Sequence, residues 1–154
     1  MTSYKQKKAG KRKDVHEKSC GIILYSEKTG VREYLLLHYP GGHWDFAKGH
    51  VEKRDGSEKD TALRELEEET GITSVEFDSG YRMSMYYEFN RGDAERVKKT
   101  VVYFLGKTEE NKVNISFEHQ NFAWLPFAEA EKRLTYDNAR SLLQSAQAYL
   151  ENEL

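Results

Sequence analysis

Residues 49 to 72, GHVEKRDGSEKDTALRELEEETGI, place a glycine-led loop ahead of a helix with acid along one side and aliphatic side chains along the next. At about 100° per residue, Glu65, Glu68 and Glu69 fall within one arc, with Glu58 two turns earlier on the same side. Ala62, Leu63 and Leu66 form the neighbouring apolar arc. A run of charge by itself reads as a solvated face. Like charges three and four residues apart destabilise a free helix, however, so an array this dense points to neutralisation by divalent cations. Carboxylate oxygens in a wet site suit magnesium or manganese.

The segment resembles the Nudix box, G-x5-E-x7-R-E-U-x-E-E-x-G-U, in which U is aliphatic. Residues 64 to 72, RELEEETGI, match its second half throughout. The first half departs from it: Gly49 lies fifteen residues before Arg64, one more than the pattern allows, and Gly56 stands where the first glutamate belongs. That glutamate, which supports the loop in the family, is replaced by Asp55 or, after a shifted turn, by Glu58. The resemblance implies metal ligation by Glu68 and Glu69 together with the Gly49 carbonyl. Glu65 would bridge metals or accept the proton of the attacking water, and Arg64 would orient Glu65 or its neighbours through a salt bridge.

At 154 residues with 38% apolar content, the chain is long enough for one domain with a real core. No apolar run approaches the roughly 18 residues of a membrane span, and the lysine-rich start lacks the hydrophobic stretch of a signal peptide. These features lead to the expectation of a soluble, cytoplasmic protein without membrane contact. The single cysteine, Cys20, excludes an internal disulfide and reads as a small core residue at the start of an apolar strand. The net charge of −2 hides an asymmetry, because Lys5, Lys7, Lys8, Lys11, Arg12 and Lys13 precede a body of net charge −8. Residues 1–17 therefore read as a basic flexible tail and 18–154 as the folded domain. Such a tail either solubilises or attracts RNA by releasing counterions.

Residues 19–25 and 33–38 read as a β-hairpin, followed by a loop over HYPGGHWDFAKGH. The central helix is expected to start at Ser57, whose hydroxyl can cap it, and to stop at Gly71. Strands are expected near 74–78, 81–89, 99–106, 113–116 and 122–125, then a short helix from Pro126 and a second from Asp137 to about Leu150. Strands and helices mix without regular alternation. The pattern predicts an α/β fold, a Nudix-type α/β/α sandwich around a mixed β-sheet.

Outside the box, residues 43–52 (HWDFAKGHVE), 99–105 (KTVVYFL) and 116–125 (SFEHQNFAWL) are similar to the asymmetrical diadenosine tetraphosphate hydrolases. Ala47 stands where that branch usually has proline, and Phe122 where it has tyrosine. This implies an enzyme that uses magnesium or manganese to hydrolyse dinucleoside polyphosphates, giving ATP and AMP from diadenosine tetraphosphate. Such chemistry needs the oxygen charge spread, a water positioned and a base supplied. The resemblance adds Glu118 as a further metal ligand or general base. Lys48 and Lys99 are candidate phosphate contacts, with a solvated strand end the other reading of Lys99. His43 is a candidate phosphate contact as well. Tyr103 and Phe122 either sandwich an adenine or belong to the core, whereas Trp44 and Trp124 read as packing. His38, His50 and His119 show no metal-ligand spacing. Two other functions use the same residues: pyrophosphate removal from 5′-triphosphate RNA, with the tail holding RNA, and nucleotide sensing without turnover, which the altered loop spacing favours.

Overall fold

The computed structural model describes residues 11–116, 119 and 121–152. Strand β1 (Lys13–Ser26) is its spine, because the apolar run through Ile22, Ile23 and Leu24 is buried on both faces, as a central strand requires. It pairs antiparallel with β2 (Glu33–His38) through a turn closed by Gly30 N donating to the Glu27 carbonyl at 3.0 Å. After β2 come β3 (Trp44–Asp45), β4 (Ala47–His50), helix α1 (Glu58–Thr70), β5 (Glu76–Arg91), β6 (Glu95–Lys107), β7 (Asn121–Pro126) and helices α2 (Phe127–Arg133) and α3 (Asp137–Glu151). Among the described residues the sheet runs β3-β2-β1-β6-β5, with β4 also on β1 and β7 on β2. The β1–β6 pairing is parallel, Lys13 opposite Glu95 through Tyr25 opposite Lys107, and the other pairings are antiparallel.

Period-two alternation divides the core. Ile22, Leu24, Leu35, Leu37, Val102 and Phe104 face α1, against Ala62 and Leu66. Ile23, Tyr34, Leu36, Tyr103 and Leu105 face α2 and α3, against Ala130, Leu142, Leu143 and Ala146. The expected α/β/α sandwich around a mixed sheet is the fold observed. Cys20 is wholly buried between strands, and burial pushes its thiol pKa up.

The helix limits fall where the sequence places them. Ser57 is extended, its hydroxyl oxygen accepts from the Asp60 N–H at 3.1 Å, and Gly71 ends α1 at φ 80° with its N–H on the Glu67 carbonyl. Four expectations are corrected. The loop after β2 contains β3 and β4, drawn into the sheet by pairing with β2 and β1. The two strands expected at 74–78 and 81–89 are one strand, β5, with a register shift between Phe77 and Arg82. Residues 113–116 form no strand; their backbone instead binds the end of α1, Asn114 N to the Thr70 carbonyl and Ser116 N to the Glu69 carbonyl. Finally, β1 begins at Lys13, inside the stretch assigned to the tail, because β6 extends far enough to pair with it. Among the described residues no helix is long and apolar enough to cross a membrane.

Candidate active site

Arg64 is the hub of the acid helix. Its Nε and Nη2 donate to both Asp55 oxygens at 2.8 and 3.0 Å, and Nη2 also donates to the His50 carbonyl at 2.9 Å. Nη1 meets Glu65 at 3.0 Å, Glu68 at 3.3 Å and Glu52 at 3.4 Å. Asp55 also accepts from the Glu52 N–H and the Thr61 hydroxyl, each at 2.8 Å, so it fastens the long loop to α1. The Arg64 guanidinium holds the Asp55 carboxyl well below the usual carboxylate range. Of the two candidates for the missing loop glutamate, Asp55 therefore takes the supporting position. Glu58 belongs elsewhere: Arg82 grips it through two bonds of 2.9 Å and Lys18 approaches to 2.6 Å, which removes it from the acid array.

Gly49 explains why a glycine opens this loop. A Cβ there would lie 2.0 Å from the Glu65 carboxyl carbon, so the carboxylate rests directly on the Gly49 backbone. Burial pushes the Glu65 pKa up, Arg64 pulls against it, and Glu68 and Glu52 push it further upward. Glu69, four residues on, is 6% exposed and turns toward His119, whose Nε2 lies 3.8 Å from its carboxylate. His119 Nδ1 is 3.0 Å from the Ser116 hydroxyl, and its ring meets Tyr39 edge-on. The structure thus brings Glu65 and Glu68 together on Arg64 and sets Glu69 apart in a buried position. Among the described residues no three acidic, histidine or cysteine side chains converge closely enough to hold an ion. Glu118, the remaining carboxylate candidate, lies outside the described residues. The oxygen donors at Gly49, Glu65, Glu68 and Glu69 nonetheless suit a hard divalent cation in kind.

On the opposite face of the sheet lies a cavity of about 350 Å³ whose lining includes His43, Asp45, Lys48, Tyr87, Tyr103 and Tyr136. Strand β4 is the wall between the two regions: Lys48 points into the cavity, while Gly49 carries Glu65 on the other side. Lys48 Nζ lies 3.8 Å from Asp45 and 5.0 Å from the centre of the Tyr39 ring. Burial raises the Asp45 pKa, with Lys48 opposing. His43 stacks on Tyr39 at 4.9 Å and leans on Tyr136 at 5.5 Å. Lys99 shares the cavity's face of the sheet but is mostly buried, and desolvation lowers its pKa.

The aromatic assignment needs correction. Tyr103 is 2% exposed and edge-on to Phe46 in the core beneath α3, whereas Phe122 packs in the core beneath α1. Rings on opposite faces of one sheet cannot sandwich a base. The accessible rings at the cavity are Tyr87 and Tyr136, 39% and 52% exposed. Tyr81, Tyr86 and Tyr87 alternate too poorly in the sequence to single out Tyr87, and its pairing with Lys99 is what shows the face it occupies. Nothing local marks Tyr136, which stands just before α3. Trp44 stacks on His38 at 4.6 Å and Trp124 donates to the Asn111 carbonyl, so both pack as expected.

A family model for the NUDIX domain matches residues 15–145. The chain belongs to the Nudix family. It is a Nudix pyrophosphohydrolase, and its similarity to asymmetrical bis(5′-nucleosyl)-tetraphosphatases spans most of its length. The Caenorhabditis elegans protein of that name is 34% identical over 138 residues, covering 86% of this chain and 96% of its own. The Rattus norvegicus protein is 32% identical, with 86% and 95% covered. In structure, the C. elegans Ap4A hydrolase binary complex superimposes with a TM-score of 0.76 at 32% identity, covering 88% of this chain and 98% of that one. Nudix hydrolases generally act with divalent metal ions.

Proposed function

We propose that this Nudix enzyme hydrolyses dinucleoside polyphosphates, diadenosine tetraphosphate to ATP and AMP first among them. The observation that carries the reading is the match to an asymmetrical tetraphosphatase along 96% of that relative's length. An aromatic-walled cavity that shares β4 with the acid helix supports it. One base enters between Tyr87 and Tyr136, where stacking contributes about 1–3 kcal/mol. Lys48 and Lys99 meet phosphate oxygens as point charges, with His43 at the cavity mouth. Glu65, Glu68, Glu69 and the Gly49 carbonyl, joined by Glu118, would hold magnesium or manganese. When bound, that ion spreads the charge of the phosphate oxygens and acidifies a water. Glu65, held against Gly49 by Arg64, or Glu118 takes the proton of the attacking water as the nucleotide leaves.

The reading of an RNA substrate rests on a tail whose first ten residues lie outside the described residues. A single buried thiol is compatible with a reducing compartment, and we place the enzyme in the cytoplasm. The test is to incubate the protein and magnesium with diadenosine polyphosphates, nucleoside diphosphate sugars and 5′-triphosphate RNA, and to identify products by chromatography. ATP and AMP in equal amounts from diadenosine tetraphosphate are expected. Faster pyrophosphate release from RNA, or no turnover of any substrate, would overturn the reading.

A further inference from the structure

Tyr87, Lys99 and Glu17 stand side by side on β5, β6 and β1, on the sheet face that carries the cavity. At ordinary strand spacing this row is about 10 Å long. It starts at the base wall and ends on a carboxylate. Glu17, with a side chain 19% exposed, faces cations from two other strands, Arg91 Nη2 at 2.9 Å and Lys99 Nζ at 4.0 Å, and the His50 ring of a third, its Nε2 3.6 Å away. Lys99 Nζ, which can only donate, is 3.3 Å from His50 Nε2, so that ring nitrogen accepts and steadies the ammonium. The row leads on to the end of β4, where Arg64 of the acid helix holds the His50 carbonyl.

Two features set this cluster apart from an ordinary surface ion pair. A guanidinium and an ammonium converging on one oxyanion, the ammonium steadied by an imidazole nitrogen, make the donor set of a phosphate site. Arg91 is also tied to the base wall: its guanidinium lies 5.7 Å from the Phe89 ring centre, and Phe89 stacks on Tyr87 at 6.1 Å with ring planes 29° apart. The anion site and the aromatic wall are thus one continuous structure. Lys48 adds a further cation on the cavity side.

We infer that the Arg91, Lys99 and His50 cluster is a polyphosphate subsite on the path between the base cavity and the acid helix, and that Glu17 occupies it until substrate phosphate displaces the carboxylate. The inference rests on the dinucleoside polyphosphate reading for its substrate but not for its chemistry. A one-phosphate nucleotide anchored in the cavity does not need the cluster. A chain of three or more phosphates does.

The two halves of the cluster make opposite predictions. Arg91→Ala removes a donor and should weaken binding of inorganic tripolyphosphate, and raise KM for diadenosine tetraphosphate, by about fivefold, the upper range for a partly exposed ion pair. Glu17→Gln removes one of the two carboxylates on Arg91, leaving Glu95 on Nη1 at 3.2 Å, and should strengthen both by a similar factor. AMP affinity should not change in either variant. Calorimetry with tripolyphosphate measures the first effect without turnover, and thermal unfolding of each variant reports the fold. A merely structural Glu17–Arg91 pair would move both variants in the same direction, and that result, or no movement in either, overturns the subsite. Opposite shifts in tripolyphosphate affinity from a protein that turns over no dinucleoside polyphosphate would keep the subsite and refute the substrate reading alone.

Discussion

Two glycines that each leave no room for a Cβ should respond differently to the same substitution. At Gly49 an added Cβ meets the Glu65 carboxylate at 2.0 to 2.3 Å, the far end of a flexible side chain. At Gly21 it meets the Ala47 carbonyl at 2.6 Å and the Lys48 Cβ at 2.7 Å, which are fixed in the β1–β4 ladder. In Gly49→Ala the Glu65 side chain swings away and gives up its 3.0 Å bond to Arg64, a charge-assisted contact of about 1.5–3 kcal/mol. Part of that is returned, because the carboxylate leaves a site whose burial disfavours its charge. Arg64 keeps Asp55 and the His50 carbonyl. The net loss should be about 1 kcal/mol, or a fall in Tm of roughly 2–4 °C for a domain of this size. Turnover should drop at least about a hundredfold, since a carboxylate acting at the reacting phosphate has been displaced. Gly21→Ala has no such escape and should cost about 3 kcal/mol, with β4 pushed off β1. Urea unfolding and diadenosine tetraphosphate turnover measured on both variants separate the two cases. In a Glu65→Ala background, Gly49→Ala should lower turnover no further. If Gly49→Ala unfolds as readily as Gly21→Ala, retains turnover, or remains harmful in that background, the cradle argument fails.

Glu69→Gln should lower kcat at least about a hundredfold with the fold intact, and EDTA should abolish activity until magnesium or manganese is restored. Activity that survives chelation would contradict a metal-dependent reaction. Tyr136→Ala should raise KM for dinucleotides by roughly tenfold with little effect on kcat, as loss of one stacking face requires, whereas a core role would appear as lost stability in thermal melts. Arg82 and Lys18 hold the Glu58 carboxyl down at about 2, against an ordinary 4.5, so its pairing stabilises the fold above pH 4.5 and is lost as pH falls toward 2. Discounted for solvent exposure, Glu58→Gln should be about 1 kcal/mol less stable than wild type at pH 7, with the gap closing by pH 2 in urea titrations. Deleting residues 1–10, which spares β1, should leave dinucleotide hydrolysis unchanged at moderate salt; selective loss of RNA pyrophosphate release, were that the faster activity, would reverse the ranking of substrates.

What was legible in the sequence was local. Ser57, Gly71 and the spacing of Glu65, Glu68 and Glu69 are properties of one helix, and they gave its limits and its acid arc without reference to the rest of the chain. What was not legible depends on partners far along the chain. The strands β3 and β4 exist because β2 and β1 are there to pair with them, and two- and four-residue strands carry almost no signal of their own. The parity of Tyr103 and of Phe122 can be read within each strand, but that the two rings occupy opposite faces follows from pairings across the sheet. Asp55 and Glu58 were equal candidates to replace the loop glutamate until Arg82, on β5, and Lys18, on β1, claimed Glu58. With Glu58 so held, the loop is fastened through Asp55, one residue before Gly56, the place where the family pattern has its glutamate. The longer loop therefore still closes onto Arg64, which keeps Glu65 against Gly49, and the departure from the family spacing is absorbed before it reaches the acid helix.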